Sequence, residues 1–446
     1  MKKTQSIVII LFLILSAFFL VGYEKSGRNE NSDQEKAFLA QEGLDLWVIS
    51  DLHFLSPSIN DQGPSFQRYM EVGDGKNLNE IHRITDAFKD EIIAAKPDGL
   101  IVSGDLTNNG ERESHLDLAA LFLEIEDAGI EVYVTPGNHD VNNPYARGFQ
   151  GEKQTRVDTV SPEAFREIYK QNGFSQAFSE DENSLSYAVK ANEKTWILMI
   201  DTNRYQRNME LGYPEAGGIL SLGTFTWMKE VLNSAQEAGA EVITVTHHNA
   251  LMHSGIAREG YMIDNHEEYL GIIRRSGVKL NLTGHIHIQD ITVNEEMDPV
   301  YEIATNALSV YPHKYGRIRV SEEYGIEYRS RKLDLTEIML GSALKDFRSL
   351  DAYSKSYFEE KSATRIYHRL LEESNATEEE AGIMAEAIGM LNVLYFGGDE
   401  DQLTEEMRLH EGFRLMGEVG DEKTAYYMQR ILNESGPDDN MLRIGE

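Results

Sequence analysis

The chain has 446 residues, of which 41% are hydrophobic, so it is long enough for two or three domains with packed cores. Acidic residues outnumber basic ones by 75 to 42, and the formal charge of −33 argues against non-specific binding to nucleic acid or to anionic membranes. Because the sequence contains no cysteine, disulfides, thiolate catalysis and cysteine-bound iron or zinc are excluded. Any metal ion must be bound by Asp, Glu, His or Asn.

Residues 1–23 have the layout of a secretory signal. Two lysines precede an apolar run from Ile7 to Val21, and a polar, charged spacer follows over residues 24–43. The run is short for a membrane-spanning helix, so we expect a signal peptide or N-terminal anchor, with export of the protein and membrane contact only through this segment. FLVGYEKSG resembles the end of a bacterial lipoprotein signal, but Tyr23 stands where that signal has its lipid-bearing cysteine.

Between residues 44 and 335, short apolar runs alternate with amphipathic stretches. Helix-like segments, with apolar residues three and four positions apart, cover residues 78–96 and 115–130. Strands that alternate with helices predict an α/β layered core, and the later hairpin-like segments indicate a mixed sheet or a sandwich of two sheets. The strand-like runs are LDLWVIS, DGLIVSG, IEVYVTPG, TWILMID, AEVITVT and VKLNLTG, and the hairpin-like segments are IQDITVN, PVYEIATNAL and YGRIRVSEEYGIEYRSRKL.

From about residue 336, the sequence pattern changes from alternating strands and helices to helices alone. Strand signals disappear, and five amphipathic helical stretches follow, including EIMLGSALKDF, DAYSKSYFEEKSATRIYHRLLEES and EEEAGIMAEAIGMLNVLYF. We therefore predict a separate all-α C-terminal domain over residues 336–446, which is a typical domain size. Its Met and aromatic side chains recur at helical spacing and are expected to fill its own core.

Metal-competent side chains follow five of the strand-like runs, at the point where each run ends. A turn or a helix cap would explain each one alone. Since strand ends on one edge of an α/β sheet converge on one crevice, their shared position favours a single site. The residues are Asp51 and His53, Asp105, Asn138 with His139 and Asp140, His247 and His248, and finally His285 and His287.

The residue types in this set suit a pair of divalent metal ions. Two ions about 3.5–4 Å apart need a bridging oxygen ligand and several terminal ligands. A carboxylate offers two oxygens and negative charge for the bridge, while imidazoles and an amide oxygen complete sites for Mn, Fe, Zn or Co. The sequence therefore predicts two divalent ions as cofactors, with their identity open.

The order of the blocks DLH, GD, GNHD, HH and GHIH resembles that of the calcineurin-like metallophosphoesterases, over roughly residues 44–330. The resemblance implies a β-sandwich of mixed sheets flanked by helices in residues 44–335. In that family the first histidine of an HH pair is normally the ligand, which favours His247 over His248. The resemblance implies that one metal is bound by Asp51, His53, Asp105 and His287, and the second by Asp105, Asn138, His247 and His285.

The resemblance also implies roles for the two residues that follow Asn138. His139 would face the substrate and stabilise or protonate the leaving oxygen, and Asp140 would hold the other ring nitrogen of His139. A water bridging the metals would be activated to hydroxide and would attack phosphorus in line. Arg147 and His313 lie in predicted polar loops, where a solvated surface role is favoured over contact with the phosphate.

Two further resemblances indicate which class of phosphoester is the substrate. GDLTNNGE resembles the bacterial class III cyclic-nucleotide phosphodiesterases, and the exported layout with a helical C-terminal domain resembles their Gram-positive lipoprotein-like members. We expect a small-molecule phosphodiester, nominally a 3′,5′-cyclic nucleotide, and a location outside the cell or on the outer face of a bacterial membrane. For the helical domain, capping of the cleft and homodimerisation stay open.

Three other functions compete with this prediction. A phosphomonoesterase or nucleotidase of the same fold uses the same motifs, because fold does not decide the substrate. An inactive metal-binding interaction module is disfavoured by the complete motif set, which includes His139 and Asp140. A nuclease is disfavoured because the chain is acidic and shows no groove of basic and aromatic residues.

Overall fold

The computed structural model describes residue 38 and residues 42–253, 260–294, 297–338, 347–433 and 438–445. The predicted signal or anchor over residues 1–23 lies outside these residues, as do most of the spacer and most of the stretch EIMLGSALKDF. None of the helices in the described ranges is long and apolar enough to cross a membrane.

Fifteen strands build two mixed sheets and a hairpin in the described chain. The first sheet has six strands in the order β15-β14-β13-β1-β2-β3, the second has seven in the order β11-β12-β10-β9-β8-β7-β6, and β4 pairs with β5. In chain order the strands are β1 (Leu44–Ile49), β2 (Gly99–Ser103), β3 (Glu131–Thr135), β4 (Arg147–Gln150), β5 (Lys153–Arg156), β6 (Ser179–Glu180), β7 (Tyr187–Lys190), β8 (Thr195–Ile200), β9 (Glu241–Thr246), β10 (Leu280–Thr283), β11 (Asp290–Asn294), β12 (Val300–Ala304), β13 (Lys314–Ser321), β14 (Gly325–Lys332) and β15 (Met441–Ile444).

Helices flank the sheets and form the C-terminal part of the chain. The α-helices are α1 (Pro64–Glu71), α2 (Ile81–Ala95), α3 (Arg112–Asp127), α4 (Pro162–Ile168), α5 (Asn208–Leu211), α6 (Leu222–Ala238), α7 (His266–Arg275), α8 (Leu350–Glu373), α9 (Glu378–Tyr395), α10 (Glu405–Arg408), α11 (Glu411–Val419) and α12 (Glu422–Leu432). Short 3-10 turns lie at Pro57–Ile59 and Glu400–Gln402, and a π-type turn at Lys170–Phe174.

The central strands are mainly apolar because both of their faces are covered. In the first sheet β1 and β2 pair in parallel in the interior, and every residue of both strands is buried. The main core joins residues of both sheets with the inner faces of α2 and α3, whereas α6 and α7 cover the outer face of the second sheet. The predicted sandwich of mixed sheets flanked by helices is therefore confirmed.

The C-terminal region is mainly helical, with one strand that the sequence pattern does not predict. Helices α8 and α9 pack along each other, and α9 also contacts α11 and α12. Ile288, from the segment between β10 and β11, joins the core of these helices. The predicted helical C-terminal region is confirmed, but the sequence pattern missed β15, which pairs antiparallel with β14 at the edge of the first sheet.

Candidate metal centre

The predicted ligands lie at the carboxyl ends of five strands, divided between the two sheets. Strands β1, β2 and β3 are neighbours and parallel in the first sheet, and β9 and β10 are neighbours and parallel in the second. Parallel neighbours end at the same edge of a sheet. The two edges meet, so side chains from segments far apart in sequence face one another.

The first cluster consists of Asp51, His53, Asp105 and His287, with one candidate ligand atom of each within 4.8 Å of the others. His53 Nε2 lies 3.6 Å from Asp105 Oδ2 and 3.1 Å from His287 Nε2. His287 Nε2 is in turn 3.5 Å from Asp51 Oδ1. Two ring nitrogens and two carboxylate oxygens thus converge on one small volume.

The second cluster shares Asp105 with the first and adds His247 and His285. His247 Nε2 lies 3.4 Å from Asp105 Oδ1 and 3.1 Å from the amide oxygen of Asn138. The two oxygens of Asp105 thus face different clusters, as a bridging carboxylate requires. All seven predicted ligands are brought together, although Asp51 and His287 are more than 230 positions apart.

The hydrogen bonds of the histidines fix which nitrogen faces the centre. The Ser103 carbonyl accepts a hydrogen bond from His247 Nδ1 at 2.9 Å, which leaves the Nε2 lone pair directed at Asp105 and Asn138. The Gly260 carbonyl accepts from His285 Nε2 at 2.9 Å, so Nδ1 is the ring nitrogen that could bind a metal ion. Metal-binding histidines are commonly held by such bonds from the other ring nitrogen.

An unpartnered buried oxygen shows that a cation fits this centre. Within the described ranges, Asp51 Oδ1 is buried without a hydrogen-bond partner, and it faces the first cluster. Leaving a buried carboxylate oxygen without a partner is unfavourable in an otherwise packed site. The donors are carboxylate oxygens, an amide oxygen and imidazole nitrogens, without any thiolate, and this set suits divalent ions such as Mn, Fe, Zn or Co. The residues present therefore fit a dinuclear site.

The electrostatics of the cluster also favour bound positive charge. Burial by itself would raise the pKa of Asp105, but the imidazoles of His139 and His247 outweigh it and hold the pKa well below its usual range. Burial by itself would lower the pKa of His247, but Asp105 raises it to about 9. The protein thus stabilises a carboxylate with neighbouring positive charge, which a metal ion would supply more strongly.

Backbone strain is concentrated at the ligands. A left-handed backbone is uncommon for residues other than glycine and persists only where the surroundings enforce it. Five predicted ligands adopt it, with φ of 52° at Asp51, 46° at His53, 48° at Asp105, 71° at His285 and 64° at His287. Strain at so many positions of one pocket is typical of a functional site.

Two glycines of the motifs allow the close approach of these loops. A Cβ at Gly104 would lie 2.4 Å from His247 Nδ1, and Gly104 has a φ of +97°. A Cβ at Gly137 would lie 2.2 Å from the backbone nitrogen of Asp105 and equally close to its Oδ1. Only glycine fits at these two positions because the neighbouring atoms belong to the cluster and its backbone.

His139 borders the centre, but its ring is not held as expected. His139 Nε2 lies 3.9 Å from Asp105 Oδ2, and a quarter of its side chain is exposed. Its Nδ1 hydrogen-bonds at 2.6 Å to the backbone carbonyl of Asn108. The expected contact with Asp140 is wrong: that buried carboxylate accepts from the backbone nitrogens of Leu106, Thr107 and Gly137. Asp140 therefore shapes the loop that presents Asp105.

The structure also shows the surroundings of His248, His313 and Arg147. His248 is buried and uses both ring nitrogens, with Thr202 Oγ1 at 2.7 Å and the Ala216 carbonyl at 2.9 Å, so neither nitrogen faces the centre. The expectation of a solvated His313 is wrong, because it is fully buried and bonds to the Leu308 carbonyl. Arg147 begins β4 and bonds to the Tyr145 carbonyl.

The sequence motifs did not indicate two contributors to this site. The backbone carbonyl of Asn108 orients His139, and a backbone role leaves little trace in residue type. The segment GDGK at residues 73–76 lies beside the segment of Asp51, because the next residue, Asn77, donates to the Ser309 carbonyl and Ser309 Oγ donates to the Asp51 carbonyl. A charged, glycine-rich loop is a weak signal, because most such loops are only solvated turns.

Comparisons with known proteins agree with this geometry. The profile described as "Calcineurin-like phosphoesterase" matches residues 44–289, and the profile described as "C-terminal domain of cyclic nucleotide phosphodiesterase" matches residues 342–438. None of the curated proteins compared with the chain matches its sequence.

Solved structures also match. A dimetal phosphatase from Danio rerio is 11% identical, with 66% of this chain and 98% of that chain covered and a TM-score of 0.47. GAP50, the anchor in the inner membrane complex of Plasmodium, is 14% identical, with 71% of this chain and 94% of that chain covered and a TM-score of 0.36. On the match over residues 44–289, the chain belongs to the calcineurin-like phosphoesterase family, whose members act on phosphoester bonds.

Proposed function

We propose that this protein is a dinuclear metal-dependent phosphodiesterase whose substrate is a 3′,5′-cyclic nucleotide. The observation that carries the hydrolase part is the sharing of Asp105 between two ligand clusters, with His139 Nε2 beside the shared carboxylate. The match of residues 342–438 to the C-terminal domain of cyclic nucleotide phosphodiesterases supports the diester and the cyclic nucleotide.

The chain supplies binding and orientation, and the cofactor supplies the polarising charge. Two divalent ions held by the clusters would activate a water and neutralise charge on the phosphoryl oxygens. The left-handed backbones of Asp51 and Asp105 fix the carboxylates before substrate arrives, which reduces the reorganisation needed during reaction.

His139 is placed to assist the leaving oxygen. Because the Asn108 carbonyl accepts from Nδ1, any proton that His139 delivers to the substrate leaves from Nε2. Burial is the main factor that lowers the pKa of His139, and Asp105 opposes it. The ring must carry both protons to act as an acid, so its assistance should decline as the pH rises.

A substrate panel tests the proposed reaction. The chain from about Glu24 onward, loaded with manganese, would be assayed on 3′,5′-cyclic AMP, 3′,5′-cyclic GMP, bis(p-nitrophenyl) phosphate and p-nitrophenyl phosphate. We expect the diesters to be hydrolysed at a higher kcat/KM than the monoester, and hydrolysis to stop when a chelator removes the metal. An Asp105→Asn variant is the control, because it removes the shared ligand and should lose metal and activity together.

Two results would contradict the proposal. A tenfold or larger preference for the monoester would favour the phosphomonoesterase or nucleotidase reading. Full metal occupancy with no hydrolysis of any phosphoester would favour an inactive metal-binding module.

A further inference from the structure

A lysine that no motif includes lies beside the metal centre. Lys76 belongs to the loop between α1 and α2, and only 10% of its side chain is exposed. Its ammonium nitrogen lies 3.0 Å from Asp74 Oδ2, and 39% of the Asp74 side chain is exposed. A long cationic side chain that is nearly covered next to a half-exposed carboxylate differs from an ordinary surface ion pair.

The ammonium of Lys76 is electrostatically coupled to the groups of the clusters. After burial, the ammonium of Lys76 is the largest factor that lowers the pKa of His53, and it also lowers the pKa of His139. Asp105 contributes to the raised pKa of Lys76, after the larger effects of burial, which opposes it, and Asp74. This coupling agrees with the hydrogen bonds that tie the loop to the segments carrying Asp51 and His139.

Hydrogen bonds tie the loop to the metal-ligand segments. The backbone nitrogen of Asn77 donates to the Ser309 carbonyl at 2.8 Å, and Ser309 Oγ donates to the Asp51 carbonyl at 2.7 Å. At the preceding helix, the Tyr69 hydroxyl contacts the side chain of Asn108, whose carbonyl holds His139. The position of Lys76 is thus coupled to both ends of the cluster.

The helical domain fixes the loop from the other side. The ring of Phe358 on α8 packs on Gly75 so closely that a Cβ there would lie 2.9 Å from it. The amide of Asn79 donates to the Tyr353 hydroxyl at 2.8 Å, and Lys361 Nζ donates to the Glu71 carbonyl at 3.0 Å. Helix α8 therefore supports the loop that carries Lys76.

We propose that Lys76 binds a phosphate oxygen of the substrate, and that Asp74 competes with this phosphate for the ammonium group. This inference rests on the proposed function. An ammonium is a compact donor that binds phosphate as a point charge. In a chain with a formal charge of −33, a local cation also offsets the repulsion that an anionic substrate meets near the site.

The two members of the pair should have opposite effects on phosphate binding. Titration calorimetry with inorganic orthophosphate on the manganese-loaded chain gives a readout that is independent of turnover. We expect Lys76→Met to weaken orthophosphate binding by about tenfold, as the loss of a charge-assisted contact would. We expect Asp74→Asn to tighten it a few-fold, because the ammonium loses its competitor, and Lys76→Arg to stay within about threefold of wild type.

Lys194→Met is the matched control. Lys194 is 73% exposed, pairs with Glu322 and lies before β8, at the strand end away from the cluster. The Lys194→Met variant removes the same positive charge as Lys76→Met, and we expect its dissociation constant for orthophosphate to equal that of wild type. Manganese content near two per chain and an unchanged far-UV spectrum would confirm that each variant is folded.

The outcomes separate this inference from the proposed function. If wild type binds and hydrolyses the diester but Lys76→Met binds orthophosphate with an unchanged constant, Lys76 has no role in binding and the function stands. If Lys76→Met and Asp74→Asn both weaken binding, the pair is structural and the inference is wrong. If manganese-loaded wild type neither binds orthophosphate nor hydrolyses the diester, both fail. Should Lys76→Met not fold, the other two variants test the inference. Tighter orthophosphate binding by Asp74→Asn and nearly unchanged binding by Lys76→Arg would support it, and weaker binding by Asp74→Asn would contradict it.

Discussion

At the scale of single residues, the centre depends on residues whose backbone conformation or burial is energetically unfavourable unless a cation is bound. Asp51 combines a left-handed backbone with a buried oxygen that has no hydrogen-bond partner. Such costs persist only where the surrounding fold enforces them, and they decrease when a cation completes the site. We therefore expect the metal ions to contribute to stability as well as to catalysis.

His139 provides the residue-scale test of the reaction. We expect His139→Ala to reduce kcat on 3′,5′-cyclic AMP by about 10²–10⁴-fold, because a sugar hydroxyl is a poor leaving group that needs a proton. The loss on bis(p-nitrophenyl) phosphate should be smaller, since nitrophenolate leaves without protonation. Metal content should stay near two per chain, because His139 is in neither ligand cluster.

An exposed histidine on α8 provides the control for this test. His368→Ala should leave both rates unchanged. Equal losses of the His139 variant on both diesters would contradict a proton-donating role and would leave only a binding role for His139.

At the scale of elements, the loop that follows β9 is held by a buried charged network. Glu302 on β12 accepts from the backbone nitrogens of Ala250 and Leu251 at 3.0 and 2.7 Å and contacts His253 Nε2 at 3.1 Å. The other ring nitrogen of His253 pairs with Asp290 on β11. Because His247 begins this loop, the network helps to fix one ligand from two neighbouring strands.

The titration of His253 predicts how stability depends on pH. Burial by itself lowers the pKa of His253, but Asp290 and Glu302 outweigh it and raise the pKa to about 10. An unfolded histidine titrates near about 6.5. A raised folded-state pKa contributes stability that is complete below about pH 6.5 and is lost as the pH rises toward about 10.

Urea unfolding of wild type and His253→Gln at pH 6, 7.5 and 9 would measure this effect. We expect the variant to be less stable at pH 6 and the difference in unfolding midpoint to shrink as the pH rises. A difference that does not change with pH would show that His253 acts through packing alone.

At the scale of the whole molecule, the C-terminal region is joined to the sandwich at several places, including the loop of Lys76 and the edge of the first sheet. Helix α8 packs on the loop of Lys76, and β15 extends the first sheet beside β14. Around β15, Asp439 accepts from the Ile291 backbone nitrogen at 2.9 Å, and Asn440 accepts from Lys314 at 2.8 Å. The helices are therefore part of the structure around the site. Export through residues 1–23 and homodimerisation stay predictions from the sequence.

Removal of residues 438–446 tests this joining. The truncated chain would lose the strand pairing and the buried contacts of Asp439, so we expect its unfolding temperature to fall by about 5 °C or more. We also expect calorimetry to resolve separate transitions for the sandwich and the helices. Met441→Ala, at an exposed position of β15, should behave like wild type. A single transition at an unchanged temperature would mean that β15 does not join the two parts.

The sequence by itself determined the strands that carry the site and the residue types at their ends. Runs such as LDLWVIS and AEVITVT are mainly apolar because β1 and β9 lie inside the sheets, and this property is visible in neighbouring residues. The DLH, GD, GNHD, HH and GHIH blocks likewise indicated where Asp51, Asp105 and His247 lie in the fold.

Only the tertiary structure decided what each of these side chains contacts. The Asn108 carbonyl, and not Asp140, holds the His139 ring, and helix α8 supports the loop that carries Lys76. The short strand β15 forms because β14 offers an open edge, although its own sequence has no strong strand pattern. Local periodicity reflects burial over a few neighbouring residues, whereas these contacts depend on how segments far apart in the chain pack against one another.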